Sequence, residues 1–378
     1  LHHCTASVLM SPACASMVFL LYVMAIVLWW RAPRKPGPCA PDWVARIAAV
    51  VLSFLAWLGG VRPTLLEPTE TINSTKQYIV IWHPHGALSF SALFLGGPIS
   101  LSGYPLRWFT GVAPLLFKVP LLREALVLMG AREVSRATLV RLLDAGLSIG
   151  IQPGGIPEQL LTDHRQEQAV FPPNLTFVRL AIMYGVPLLP CYLFGESQVY
   201  TTSQMLQAFA RAVYKRTGIP GVVPLGKWGL PWPIPRPTRV SIGFGRPVCP
   251  RGPANVEPSE EEVQELFGRY VAELQNLFDK HAHTALPADV AVRGLRIRIR
   301  ERDGGLKPVL ISRTPSSSDG SGNGSDHVTG TTGEHFGGKG AHGLRVRGRS
   351  NADCVGDSPE CTPLRAHPAH HELVHSQK

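Results

Sequence analysis

No Cys-x-x-Cys pair occurs in this chain, and the seven cysteines (Cys4, Cys14, Cys39, Cys191, Cys249, Cys354 and Cys361) follow no regular spacing. That excludes a disulfide framework and points to a reducing compartment for the folded part. Charge is scarce as well: Asp, Glu, Lys and Arg make up 17% of 378 residues, against 45% hydrophobic, which is apolar for a soluble enzyme. The balance is basic, formally +10, yet the cations do not cluster with aromatics, so no nucleic-acid partner is expected. A membrane face or a phosphate-bearing ligand accounts for the excess.

The apolar excess sits at the start. Val8 to Trp30 is almost free of charge and ends in Leu28-Trp29-Trp30-Arg31, long enough to cross a bilayer with an aromatic pair at the interface. Pro12 delays the start of a continuous helix. A second run, Val44 to Val61, carries one charge, Arg46. Arg31, Pro33, Arg34, Lys35, Pro36 and Pro38 separate the two, so residues 1–62 read as a two-helix membrane hairpin or a re-entrant loop. A signal peptide is the competing reading, opposed by the immediate second run and by the lack of a small-residue cleavage site. The chain starts at Leu1 rather than Met, and an incomplete N-terminus is the expectation.

The run Gln77-Tyr78-Ile79-Val80-Ile81-Trp82 reads as a buried strand, closed by His83-Pro84-His85-Gly86. Pro84 fixes its own φ and pushes His83 into an extended conformation, while Gly86 lets the backbone turn away. Two imidazoles are thereby held on a stiff corner. Corners outside the carboxyl ends of strands are where α/β sheets bind ligands.

Helical and extended segments then alternate. Val119 to Gly130 reads as a helix with Pro120 in its first turn, and Ser135 caps another through Asp144, ended by Gly146. Leu147 to Gln152, Pro187 to Phe194 and Thr238 to Phe244 read as strands, and Leu175 to Tyr184 as a helix ended by Gly185. Ser259 and Glu262 form a capping box for a helix whose Val263, Phe267, Tyr270, Leu274, Leu277 and Phe278 share one face. The expectation is a layered α/β domain over 63–290, a basic connecting segment over 291–312, and a disordered Gly/Ser/His-rich tail over 313–378. The tail holds half of the 14 histidines, among them His367, His370, His371 and His375.

Several segments together resemble the diacylglycerol acyltransferase type 2 family, which includes monoacylglycerol acyltransferases and wax-ester synthases. They are Tyr78 to Gly86; Val119-Pro120-Leu121-Leu122-Arg123-Glu124; Val134-Ser135-Arg136; Gly154-Gly155-Ile156-Pro157-Glu158; Phe177 to Ala181; Val186 to Glu196; and Leu277-Phe278-Asp279-Lys280-His281. They stand in the family's order and span roughly Val8 to Pro287. Two segments depart. Asn174-Leu175-Thr176-Phe177 replaces an Arg-x-Gly-Phe, and Leu225-Gly226-Lys227-Trp228 stands where the family has His-Gly-Arg-Gly.

The resemblance implies a glycerolipid-acyltransferase-like domain behind a membrane hairpin, esterifying diacylglycerol to triacylglycerol. Monoacylglycerol and long-chain alcohols are the family's other acceptors. Acyl-CoA serves as co-substrate with a neutral-lipid alcohol, without a cofactor or a metal. The expected setting is the endoplasmic reticulum membrane with the catalytic domain cytosolic, and lipid droplets and a homo-oligomer are further expectations.

The residues themselves suit that chemistry. A lipid hydroxyl is too weak an acid to ionise near neutrality, and a neutral imidazole can take its proton as attack proceeds. His85 is the expected base, because Gly86 leaves it the less crowded, and His83 its neighbour, orienting it or stabilising the developing oxyanion. Leu88 and Phe90 occupy positions where another acyltransferase family places an Asp, so a carboxylate partner must come from elsewhere. Glu158 and Glu196, each at a strand end, are the candidates, and both also read as helix-start or loop charges. Gly154 and Gly155 offer backbone N–H groups for an oxyanion or a CoA phosphate, or simply make a turn. Arg136 and Arg179 are candidates for the CoA phosphates, or solvated helix charges. Cys191, inside an apolar strand, reads as core, which leaves direct transfer without an acyl-enzyme.

Two other classes stay open: a metal-dependent hydrolase using His83 and His85, and an inactive membrane protein that binds lipid droplets. The first lacks a second ligand cluster before the tail. The intact His-Pro-His-Gly and Glu158 oppose the second.

Overall fold

The computed structural model describes residues 50, 54, 57, 59–68, 72–89, 106–119, 122–128, 130–231, 234–311 and 345–346. Most of the expected hairpin and tail lies outside these residues. Among the described residues no helix is long and apolar enough to cross a membrane.

The strands are β1 (Val61–Leu65), β2 (Ile79–His83), β3 (Phe109–Val112), β4 (Ala131–Glu133), β5 (Ile149–Ile151), β6 (Glu167–Phe171), β7 (Leu188–Phe194), β8 (Thr238–Phe244), β9 (Leu295–Arg300) and β10 (Leu306–Pro308). The helices are α1 (Leu122–Leu128), α2 (Arg136–Asp144), α3 (Gly155–Gln159), α4 (Thr176–Tyr184), α5 (Gln204–Thr217), α6 (Glu260–Ala285) and α7 (Ala288–Ala291). Seven strands form one sheet in the order β1-β8-β7-β2-β5-β3-β4. From β7 to β4 all neighbours are parallel, β8 runs antiparallel to β7, and β1 is parallel to β8. Five strands therefore open their carboxyl ends on one edge, and β2 is the central strand of the seven.

Alternation along β2 divides its side chains between two cores. Ile79 and Ile81 join Tyr192 and Phe194 under α4 and α6, while Val80 and Trp82 join Leu189, Cys191, Leu193 and Trp108 on the other face. The same alternation turns His83 toward the α6 side, where its ring meets Phe171 edge-on, centroids 5.0 Å apart. The α6 stripe of Val263, Phe267, Tyr270, Leu274, Leu277 and Phe278 is buried as its spacing predicts. Each such side chain contributes roughly 1.5–3 kcal/mol when removed from water. The capping box is formed: Ser259 Oγ accepts from Glu262 N at 3.2 Å, and Ser259 N donates to Glu262 Oε2 at 2.8 Å. Ser135 caps α2 by accepting from Thr138 N at 3.3 Å.

Three expectations change. Of the helix expected over 119–130 the described residues show Leu122–Leu128, and Val119 instead caps a separate 3₁₀ turn, Pro114–Lys118. The basic segment after 290 is folded. Leu295-Arg296-Ile297-Arg298-Ile299-Arg300 alternates with period two, and β9 pairs in parallel with β6 and antiparallel with β10. Strand β1 begins at Val61, so the sheet also reaches back across the boundary drawn at 62. The described part of the tail is Arg345–Val346, paired with Leu310–Ile311.

Candidate active site

Strand β2 delivers the histidine corner to the carboxyl edge of the sheet, and β5 ends beside it in Gln152-Pro153-Gly154. Gly154 caps α3, a single turn that brings Glu158 back toward β2. The Glu158 side chain is fully buried, and its Oε1 accepts the backbone N–H of His85 at 3.2 Å and lies 3.4 Å from His83 Nδ1. One carboxylate oxygen thus serves both histidines, one through its ring and the other through its backbone. With the His83 proton on Nδ1, donated to Glu158, its Nε2 is left as an acceptor. That Nε2 and Glu158 Oε2 are buried without a hydrogen-bond partner among the described residues.

His83 is sealed from solvent, whereas His85 is half-buried. Burial lowers the His85 pKa below the ordinary 6.5, against the pull of Glu158 and of hydrogen bonding to backbone, with His83 adding to the lowering. The ring is therefore neutral at pH 7, the form a base needs. Its Nδ1 lies 3.1 Å from Ser89 Oγ and 3.4 Å from Gly86 O.

Glu196 opens the 3₁₀ turn Glu196–Gln198 after β7, fully buried. A Cβ on Gly86, which has φ +68°, would lie 3.0 Å from Glu196 Cγ and 3.2 Å from its Oε1. Both candidate glutamates thus meet the His-Pro-His-Gly turn, from opposite neighbours of β2. Of the other candidates Gly154 lies against Glu158, whereas Gly155, Arg179 and Arg136 do not gather there. The Gly155 N–H is donated to Gln152 O at 3.2 Å, so that amide belongs to the turn. Arg179 reaches Glu260 Oε2 and the carbonyls of Asn174 and Pro258, tying α4 to the start of α6. Arg136 is exposed at the start of α2, after the carboxyl end of β4. That is three strands from β2, roughly 14 Å at ordinary strand spacing. Burial pushes the Cys191 thiol pKa up, which keeps it protonated within its strand. Among the described residues no group of three His, Cys, Asp or Glu is placed to hold a metal ion.

Sequence reasoning passes over three contributors. Ser89 and Gln152 belong to no motif, yet Ser89 meets the His85 ring and Gln152 holds Ser89. Glu167 on β6 is fully buried and accepts from Tyr192 Oη at 2.6 Å and Gln198 Nε2 at 2.8 Å. Tyr192 pairs with His83 across β7 and β2, so a second, fully satisfied carboxylate backs the corner. Burial raises the Glu167 pKa against those hydrogen bonds.

A neutral imidazole beside buried carboxylates, at the carboxyl edge of a mainly parallel sheet, marks an α/β enzyme equipped for proton transfer. The chain belongs to the diacylglycerol acyltransferase family, whose sequence profile matches residues 7–292, and it is an acyltransferase. It is similar to diacylglycerol O-acyltransferase 2-like protein 6 of Mus musculus, 27% identical over 292 residues that cover 69% of this chain and 81% of that protein. Diacylglycerol O-acyltransferase 2 of Homo sapiens is 28% identical over 291 residues, 70% of each chain. Acyl-CoA wax alcohol acyltransferase 1 of Homo sapiens is 28% identical over 283 residues, 69% of this chain and 82% of that protein.

Proposed function

We propose that this acyltransferase moves an acyl group from acyl-CoA directly onto the free hydroxyl of diacylglycerol, with His85 as general base. The observation that carries the reading is the half-buried, neutral His85 ring, held on a corner that the buried Glu158 fastens through the backbone. The acceptor O–H bond breaks as oxygen attacks the thioester carbonyl. His85 takes the proton and returns it to the sulfur of the departing CoA, so ester and thiol form with protons balanced. A base placed in this way contributes about 10²–10⁴ in rate. His83, paired with Glu158, stiffens the corner.

The expected setting is the endoplasmic reticulum membrane, with the catalytic face toward cytosolic acyl-CoA. Microsomes carrying the full chain, given labelled acyl-CoA with diacylglycerol, monoacylglycerol or a long-chain alcohol, test the reading by product. Triacylglycerol as the main labelled ester supports it, and a dominant wax ester or diacylglycerol product reassigns the acceptor.

A further inference from the structure

We propose that Ser89 and Gln152 are positioning residues that hold the His85 imidazole in one tautomer, with the proton on Nδ1 and the lone pair on Nε2. The inference rests on the reading of His85 as the base.

The chain of bonds has a fixed end. Gln152 Nε2 lies 3.3 Å from Pro84 O, a carbonyl that can only accept, so the amide donates there and turns its oxygen toward Ser89. Ser89 Oγ lies 2.8 Å from that Oε1, shorter than its 3.1 Å contacts with His85 O and His85 Nδ1. Its single proton is donated to Gln152, and it meets the ring with a lone pair. The second atom beside Nδ1, Gly86 O at 3.4 Å, is also a pure acceptor. A nitrogen facing two acceptors carries the proton, and a neutral imidazole has one N–H. Nε2 is therefore the basic atom.

The arrangement answers a gap noted in the sequence, where Leu88 and Phe90 stand in place of an orienting Asp. A hydroxyl and an amide do the orienting instead, and the amide comes from the end of the neighbouring strand β5. The charged and titratable groups around the corner are Glu158, His83 and Glu196. Glu158 meets the His85 backbone and the His83 ring, and Glu196 packs against Gly86. The hydrogen-bond partners of His85 Nδ1, Ser89 Oγ and Gly86 O, thus belong to uncharged groups.

The test is the pH dependence of kcat/KM for the full chain in membranes. Ser89→Ala removes an acceptor that favours the imidazolium as well as the Nδ1–H form. The expected result is an acid limb moved to lower pH and a kcat about 10-fold down, the size of one hydrogen bond, with KM little changed and activity rescued by Ser89→Thr. Gln152→Glu supplies a charged acceptor and moves the limb the other way, to higher pH. A packing defect would not shift the two variants in opposite directions. Unmoved limbs in both variants, or shifts in the same direction, overturn the relay even while His85→Ala is inactive and the base assignment stands. Full activity of His85→Ala removes the base assignment itself. Should Ser89→Ala fail to accumulate, Gln152→Glu compared with Gln152→Leu decides by the same limb.

Discussion

A methyl group on Gly154 would lie 2.0 Å from Oε2 of Glu158 and 2.6 Å from the carbonyl oxygen of Val170. The carboxylate occupies the space a side chain at 154 would need. The glycine is present to admit Glu158, more than to present its own N–H. Gly154→Ala should therefore displace Glu158, lower stability by about 1–3 kcal/mol and reduce turnover by about 10² or more. Gly155→Ala provides the contrast, since nothing lies within 4 Å of its Cβ direction and only the φ of +50° is strained, about 1–2 kcal/mol. Melting curves and turnover measured side by side distinguish them, and equal turnover in the two would refute the packing argument.

The two histidines should fail differently. His85→Ala removes a half-buried ring and should cut turnover by about 10² or more while melting stays near that of the unmodified chain. His83→Ala opens a sealed site and strips a partner from buried Glu158, so stability should fall by about 1–3 kcal/mol along with activity. An inactive His83 variant with normal melting, beside an active His85 variant, would exchange their roles.

The lowered His85 pKa sets the sign of the pH response. The neutral ring is the active form, so kcat/KM should rise with pH along an acid limb whose midpoint lies below 6.5. The negative charge of Glu158 raises that pKa, so Glu158→Gln should move the acid limb lower still. A limb above 6.5 in the unmodified chain contradicts the burial argument.

Sidedness can be read from three sequons, Asn73-Ser74-Thr75, Asn174-Leu175-Thr176 and Asn323-Gly324-Ser325. Asn73 and Asn174 are exposed, so a folded lumenal domain would offer both to glycosylation. With the catalytic face toward the cytosol, all three should stay unmodified in a eukaryotic cell. A mass shift on endoglycosidase treatment at Asn73 or Asn174 places that face in the lumen.

Much of the architecture was legible because its punctuation is local. Ser135, Gly185 and the Ser259–Glu262 box mark helix ends, and β2, β5, β7 and β8 are apolar runs of strand length. What escaped notice depends on partners far along the chain. Strand β6 contains Glu167 and Gln168 and does not read as buried until Tyr192 and Gln198 satisfy the carboxylate. The arginines of β9 hide a strand that needs β6 to pair with. Arg179 looks like a phosphate ligand until Glu260, 81 residues away, takes its guanidinium. Glu158 was visible as a candidate by its place after two glycines. That it grips a backbone N–H of the corner was not, since no sequence pattern encodes which atom a carboxylate will reach.

The single Glu158 oxygen between His83 and His85 also constrains how the corner can evolve. Change His83 or the glutamate alone, and a buried polar group loses its partner, at about 1–3 kcal/mol for the orphaned group. Positions 83 and 158 are therefore epistatic. The loss in a double variant should be smaller than the sum of the single losses, and a lineage leaving His-Pro-His-Gly would have to replace position 158 in nearly the same step.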